Sequence, residues 1–357
     1  MERKLRCLVI GAGAFAEACH LPGLQAHPGA EVVALCSRRR ERAEALAARF
    51  GVPRVETDLV ASDRCREVDA VSICTPNDAH RQAALLAFAH GKHVFCEKPL
   101  SLTVEEAEEM TRAALASGRV HQVAFTYRFL HGIEELRRRL QAGEIGEPYL
   151  FRGHHEFWDG MKPGAAIGWR ELQGPAGGGV LWDSGSHLFD LARFLLGPIA
   201  AVQATTQRVP REAVEARSGE RRAVETDDLA MAWLRFASGV RGHWHASRIT
   251  PTREVGFVQV VGSAGALEAK LSRGWADGLR TVAAGEKEMR ELPLPDESRD
   301  GKPHALLRMM ARFVDACRAE TSAPADATFE DGLAAQRLLA AAAQADRGGW
   351  VPLQPPA

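Results

Sequence analysis

The sequence predicts an α/β protein in two parts: a doubly wound parallel sheet, then an α+β region on a large, mostly antiparallel open sheet. Two observations lead there. Up to about residue 126, short apolar runs alternate with helical stretches, the rhythm of strand–helix units joined by right-handed crossovers. Beyond that point strands follow one another through short turns such as Ser238-Gly239 and Gly262–Gly265, which favours antiparallel pairing.

In the first part, Leu5–Ile10 is an apolar run ending in glycine, the form of a strand buried on both faces. A helical stretch starts near Ala14 and is interrupted by Pro22. Glu31–Cys36 reads as a strand and Glu41–Phe50 as a helix stopped by Gly51. Ala70–Cys74 is an apolar strand, Ala79–His90 a helix stopped by Gly91, and His93–Cys96 the next strand. Thr103 and Glu106 form a capping box for a helix running to Ser117, with Gly118 at its end. Val120–Phe125 closes the series.

In the second part a helix over Ile133–Leu140 leads into the extended Pro148–Phe157 and a Gly/Pro-rich loop. A helix over Ser184–Leu196 stops at Gly197-Pro198. Strands are expected at Ala201–Arg208, Leu229–Phe236, Val240–Arg248, Glu254–Val261 and Ala266–Lys270, then helices at His304–Ala319 and Phe329–Ala345. The expected division is 1–126 and 127–357.

Composition narrows the function classes. A chain of 357 residues, 46% hydrophobic and 25% charged, fits two globular domains with full cores. Basic and acidic residues number 45 and 46, so no charge excess points to nucleic acid or an anionic membrane. The runs Arg38–Arg40 and Arg137–Arg139 read first as solvated helix faces. No stretch reads as a signal peptide or a bilayer span. Seven cysteines, with no C-x-x-C pair and several in apolar runs, suit buried reduced thiols and a cytoplasmic protein.

Gly11-Ala12-Gly13-Ala14-Phe15-Ala16, between the first strand and the first helix, is a G-x-G-x-x-A fingerprint of a dinucleotide-binding Rossmann domain. Gly11 permits the tight turn, Gly13 lets the backbone approach a pyrophosphate, and Ala16 lets helix and strand pack closely. The helix start offers free N–H groups to phosphate, with Ala14 and Phe15 in its first turn. The second strand ends in Cys36-Ser37-Arg38 where an acid would bind ribose hydroxyls. A hydroxyl followed by a guanidinium suits a 2′-phosphate, so NADP is the expected cofactor, with NAD the alternative.

Three further segments carry a family resemblance: Cys74-Thr75-Pro76-Asn77-Asp78-Ala79-His80, Glu97-Lys98-Pro99, and Gly177–Asp190, which reads GGGVLWDSGSHLFD. With the fingerprint, nearly the whole chain resembles the glucose–fructose oxidoreductase / inositol dehydrogenase family (Gfo/Idh/MocA). The resemblance implies an active site in the cleft between the domains, with Cys74, Thr75, Pro76, Asn77 and His80 lining the cofactor and Glu97 near the nicotinamide ribose. It implies that Lys98 is the active-site lysine, in a Lys-Pro bond that is often cis. Trp169-Arg170 resembles a pair that reaches the cofactor in NADP-using relatives, and Tyr127-Arg128-Phe129 the segment that opens the second domain beside the substrate. The missing ribose acid departs from the NAD-using pattern.

The chemistry read from the residues agrees. Oxidising a secondary alcohol needs a base for the hydroxyl proton while hydride leaves. Asp183 and His187, at i and i+4 near a helix start, share a face that Asp190 extends, and a histidine exchanges protons near neutral pH. Lys98 at a strand end can hold the same oxygen and stabilise alkoxide charge. Of His154-His155, alternation sends one ring towards the substrate, and His155 and Trp158 are taken as contacts. No metal is expected, because spacing fixes no third ligand.

The expected function is hydride transfer between nicotinamide and a secondary alcohol or ketone of a sugar or polyol. The alternatives are a dinucleotide-binding regulator without turnover, and a hydrolase or lyase using bound cofactor for transient oxidation. A homodimer or homotetramer is expected through the second sheet, where Met231, Trp233 and Arg235 alternate on one face.

Overall fold

The computed structural model describes residues 3–59, 64–161, 164–251, 255–271, 278–295, 304–321, 323, 326–346 and 348–353. The chain divides into two compact units, Met1–Thr126 with Ala305–Gln336, and Tyr127–His304 with Arg337–Ala357. Among the described residues no helix is long and apolar enough to cross a membrane.

The first unit is built on β1 (Leu5–Ile10), α1 (Leu21–Ala26), β2 (Ala30–Cys36), α2 (Arg40–Phe50), β3 (Val55–Glu56), β4 (Ala70–Ile73), α3 (His80–Ala89), β5 (His93–Cys96), α4 (Val104–Ser117) and β6 (His121–Val123). Its six strands are all parallel in the order β3-β2-β1-β4-β5-β6. The chain reverses its winding between β1 and β4, and the carboxyl ends of those strands form the crevice where open α/β sheets bind ligands. Leu8, Val71, Ile73 and Val94 are buried against Ala84, Phe88 and Met110 of the covering helices. Half of the predicted capping box forms: Thr103 Oγ1 accepts from the Glu106 N–H at 3.2 Å, whereas Glu106 Oε2 accepts from the N–H of Leu102, one residue before the cap, at 3.1 Å. Gly51 and Gly118 end their helices at φ of 65° and 64°, as expected.

Two local features differ from expectation. β3 carries only two residues and no apolar run, so periodicity does not reveal it. Pro22 does not interrupt a helix. A π-helical turn, Ala16–His20, precedes it, and Pro22 sits in the first turn of α1, where its missing N–H costs nothing.

The second unit continues with α5 (His131–Gln141), β7 (Pro148–Glu156), α6 (Gln173–Ala176), α7 (Val180–Leu196), β8 (Ile199–Gln207), β9 (Glu212–Val214), β10 (Arg221–Ala223), β11 (Leu229–Phe236), β12 (Arg241–Ser247), β13 (Val255–Gly262), β14 (Gly265–Lys270), β15 (Leu279–Ala283) and β16 (Arg290–Leu292). The chain ends with α8 (His304–Ala319), α9 (Phe329–Ala345) and β17 (Val351–Pro352). Glu254, the expected start of β13, lies outside the described residues. Nine strands form one sheet, β16-β15-β14-β13-β7-β12-β11-β8-β17, antiparallel except for the parallel pair β7–β12. α7 lies on one face, where Phe189 meets Trp244 edge-on at 5.0 Å. On the other face Trp233 is 46% exposed.

The expected division assigns α8 to the second domain, whereas from Ala305 on it packs in the first unit. Phe313 lies 5.3 Å from Phe95 of β5, and Asp315 reaches the His27 ring at 3.1 Å. Phe329, at the start of α9, joins the same core beside Phe88 at 5.5 Å. Apolar faces bury where a matching face exists, and these partners are more than 200 residues away in the chain.

Candidate active site

In the first unit the expected cofactor residues gather at the carboxyl ends of β1, β4 and β5. Gly11 has φ of 116°, and a Cβ there would lie 2.5 Å from the Cys74 carbonyl oxygen, so only glycine lets the two strand ends meet. A Cβ on Gly13 would enter open space, with no atom within 4 Å, leaving its backbone approachable. Ala16 is fully buried against the sheet. Thr75 Oγ1 is buried with no hydrogen-bond partner among the described residues. An open glycine backbone beside an unsatisfied buried hydroxyl fits a bound dinucleotide.

The Cys74 thiol donates towards the Ile10 carbonyl at 3.4 Å, and burial pushes its pKa well up. The residue packs rather than attacks. Asn77 is buried in the turn that opens α3. His80 departs from the expected cofactor contact. Its ring is fully buried, with Nδ1 3.1 Å from the Pro99 carbonyl and Nε2 3.1 Å from that of Thr75. Burial drives its pKa down while the carbonyls oppose that. His80 ties the Thr75 and Pro99 loops together, leaving its ring no edge for a ligand.

Glu97 and Lys98 follow β5, and the Lys98-Pro99 bond is cis, as the resemblance implies. Sequence reasoning missed what holds Glu97: His20, fully buried, places Nε2 3.0 Å from Glu97 Oε1 and Nδ1 2.7 Å from Ser72 Oγ. A carboxylate only accepts, so Nε2 donates to it, and the serine hydroxyl, which can donate or accept, meets the other ring nitrogen. Glu97 Oε2 in turn accepts from the Lys98 backbone N–H at 3.3 Å. The π-helical turn ends at His20, a usage common at functional sites.

At the end of β2, Ser37 is half-buried and Arg38 exposed. The Ser37 N–H donates to the Glu56 carbonyl at 2.9 Å, so β3 sets a carboxylate-bearing residue next to the strand end that lacks an acid. Arg42 of α2 donates from Nε to the Ala12 carbonyl and bonds the fingerprint loop to the second helix.

In the second unit, Tyr127, His155, Ser184 and His187 come together. Tyr127 Oη is 3.2 Å from His155 Nε2, and His155 Nδ1 is 3.0 Å from Ser184 Oγ. The Tyr127 ring lies 4.6 Å from that of His187, which is 8% exposed on α7. Asp183, half-buried, stands one turn earlier on α7, beside Trp182, whose buried Nε1 has no acceptor among the described residues. The glycine run before α7 has a steric reason: a Cβ on Gly179 would sit 1.9 Å from the Asp227 carbonyl oxygen. Asp227 also caps the helix, accepting from Gly179 N–H at 2.7 Å and Leu181 N–H at 2.8 Å.

Arg128 corrects the expected substrate contact. It is 4% exposed and paired with Asp190, which is 1% exposed, donating from Nε to Oδ2 at 2.8 Å and from Nη2 to Oδ1. A carboxylate buried on α7 needs a cation, and Arg128 supplies it, so neither residue faces a substrate. Asp190 stays on the Asp183–His187 side of α7, i+7 from Asp183, where the Arg128 guanidinium takes it.

Trp158 and the Trp169-Arg170 pair lie in the loop after β7. Trp158 bridges Ile249, and Arg170 stacks 4.4 Å over the Trp169 ring. This loop is fastened by Arg248, whose carbonyl accepts from the Asp159 and Gly160 N–H groups at 3.1 and 2.8 Å. Its guanidinium reaches Asp228 at 2.7 Å, Thr226 Oγ1 at 3.0 Å and Glu171 at 3.3 Å. Although burial raises the Asp228 pKa, Arg211, the Val209 N–H and Arg248 hold it below the usual carboxylate range.

A doubly wound sheet with an open glycine turn at its switch point, together with a lysine held at the end of β5, defines a dinucleotide-binding oxidoreductase. The family follows from comparison. Residues 5–125 match the oxidoreductase family with an NAD-binding Rossmann fold, and residues 133–268 the GFO/IDH/MocA C-terminal domain. The chain belongs to the Gfo/Idh/MocA family of oxidoreductases. It is 34% identical to levoglucosan dehydrogenase of Pseudarthrobacter phenanthrenivorans over 221 residues, 58% of this chain and 56% of that protein. It is 34% identical to 1,5-anhydro-D-fructose reductase of Ensifer adhaerens over 262 residues, 72% of this chain and 74% of that one. The structure of a levoglucosan dehydrogenase in complex with NADH and L-sorbose superposes with a TM-score of 0.89 at 25% identity, over 98% of this chain and 99% of that one.

Proposed function

We propose that this oxidoreductase moves a hydride between a nicotinamide dinucleotide, preferentially NADP(H), and a CH–OH carbon of a sugar or polyol. The observation that carries the reading is His187, buried at 8% exposure on α7 and packed 4.6 Å from the Tyr127 ring, where a proton can be exchanged out of bulk water. The relatives that act on levoglucosan and 1,5-anhydro-D-fructose support a cyclic polyhydroxy substrate.

Gly11, Gly13 and Thr75 would hold the dinucleotide, with Ala14, Phe15 and Ala16 at the helix start, Pro76 and Asn77 in the adjoining loop, and Glu97 near its ribose. Trp169 and Arg170 are proposed as further contacts. Ser37 and Arg38 would meet a 2′-phosphate, a reading favoured by the missing acid on β2. When bound, the nicotinamide supplies the hydride acceptor or donor.

His187 takes the substrate hydroxyl proton during oxidation and returns it during reduction. Asp183, one turn away, shares a helix face with His187. The Lys98 ammonium would donate a hydrogen bond to an oxygen that carries alkoxide charge and offset that charge. Tyr127, His155 and Trp158 bind the remaining hydroxyls, and the Trp182 N–H offers one more donor.

The test is a panel of anhydrosugars, aldoses, ketoses and inositols with each cofactor, followed at the reduced-nicotinamide absorbance band. Turnover with stoichiometric change in the cofactor is expected for at least one compound. Conversion without net cofactor change would replace this reading with transient oxidation by a hydrolase or lyase. Binding of cofactor with no turnover across the panel would favour a regulator.

A further inference from the structure

The face of the second sheet opposite α7 holds a cluster that the proposed reaction does not use. On β7, His154 and Glu156 are two residues apart and point to the same side, away from α7, while His155 points towards it. On the parallel neighbour β12, His245 is directly opposite His154. The sequence offers His154 and Glu156 as a pair without a third ligand, and strand pairing supplies that ligand from 91 positions further along the chain.

The distances are those of a metal site. Glu156 Oε2 is 3.3 Å from His154 Nε2, and its Oε1 is 3.1 Å from His245 Nδ1. One donor atom from each residue can be chosen so that all lie within 4.8 Å of one another. Ligands bound at about 2.0 Å around a tetrahedral zinc are about 3.3 Å apart. The rings are also held in place: His154 stacks on Phe257 of β13 at 5.4 Å with planes 9° apart, and lies 5.2 Å from the His245 ring. All three side chains are partly buried, at 28%, 18% and 21% exposure, so a cation bound there would shed part of its water.

We propose that His154, Glu156 and His245 form a binding site for a divalent transition metal, zinc in the first instance, that clamps the parallel strands β7 and β12. Two imidazoles and a carboxylate match the donor set zinc takes with one position left open to water or another ligand. Metal ligands must be deprotonated to bind, so affinity strengthens as pH rises.

The full-length chain, freed of metal with a chelator and dialysed, is titrated with zinc by calorimetry, and the bound metal is counted by elemental analysis. One zinc per chain is expected, with an upward shift in melting temperature. His245→Asn and Glu156→Gln should each lower zinc affinity at least tenfold while retaining NAD(P)H binding, which shows that they fold. Cobalt(II) in place of zinc should give visible d–d bands without the near-ultraviolet charge-transfer bands of thiolate ligation. No zinc bound, equal affinity in folded variants, or a thiolate-type cobalt spectrum would each overturn the proposal. If the variants do not fold, the wild-type stoichiometry and cobalt spectrum decide it alone.

Discussion

His20 and Glu97 meet at 3.0 Å inside the first unit, and through this contact a histidine on the π-helical turn fixes the residue before Lys98. Ser72 closes the other side of the ring at 2.7 Å, so His20 is held between a strand hydroxyl and the carboxylate.

Replacing His20 with alanine leaves Glu97 and Ser72 buried without that partner. A loss of about 1–3 kcal/mol in stability is expected, the cost of an unsatisfied buried polar group. Turnover should fall as well, because Glu97 no longer holds the Lys98 backbone. Equilibrium unfolding and steady-state kinetics measure both, and unchanged values in each would show that the contact does not matter.

Lys98→Ala and His187→Ala should each lower kcat by roughly 100-fold or more, the usual contribution of acid–base assistance. Cofactor affinity should stay within about tenfold. Near-normal turnover by both variants on a true substrate would assign the two residues to structure.

Arg38→Ala tests cofactor choice. A charge-assisted hydrogen bond contributes about 1.5–3 kcal/mol, or roughly 10- to 150-fold in affinity. NADP(H) should bind wild type more tightly than NAD(H), and the substitution should remove most of that difference. Equal losses for both cofactors would exclude Arg38 as the reader of the 2′-phosphate and turn attention to Glu56 on β3.

Acid should loosen the Asp228 network. Its carboxyl is held below the ordinary range in the folded chain, so the unfolded chain binds the proton more readily. The resulting stability is present above the ordinary carboxylate pKa of about 3.9 and drains away as pH falls through the lowered folded value. Melting temperature measured from pH 7 to 3 should drop more steeply for wild type than for Asp228→Asn, which starts lower. Parallel curves would refute the link.

Self-association is expected through the sheet face that exposes Trp233. Multi-angle light scattering should find a dimer or tetramer at micromolar concentration, and Trp233→Asp should shift it towards monomer. A wild-type monomer would sink this expectation.

Much of the first unit was legible because its central strands are short apolar runs, and because Gly11 and the fingerprint mark where β1 ends. In the second unit α7 was legible from its stop at Gly197-Pro198, whereas α6 lies in what reads as a Gly/Pro-rich loop. What escaped reading depends on partners distant in sequence. Arg128 looked like a substrate residue until Asp190, 62 positions away, took its guanidinium. Asp227 gives no local sign that it caps a helix 46 residues earlier. Nothing in the sequence singles out His20, because a π-helical turn leaves no mark on a 3.6-residue period. The third member of the His154–Glu156 cluster arrives only through the pairing of β7 with β12.

β7 carries two different duties on alternating residues: His155 turns towards Tyr127 and Ser184, while its neighbour His154 turns to the opposite side. Deleting or inserting one residue between Pro148 and His154 would exchange the two sides, placing His154 where His155 stands and breaking both arrangements together. The strand can therefore diverge by substitution but not by change of length. Libraries that seek new substrates for this enzyme should keep β7 at its present length and vary the loop that follows Phe157.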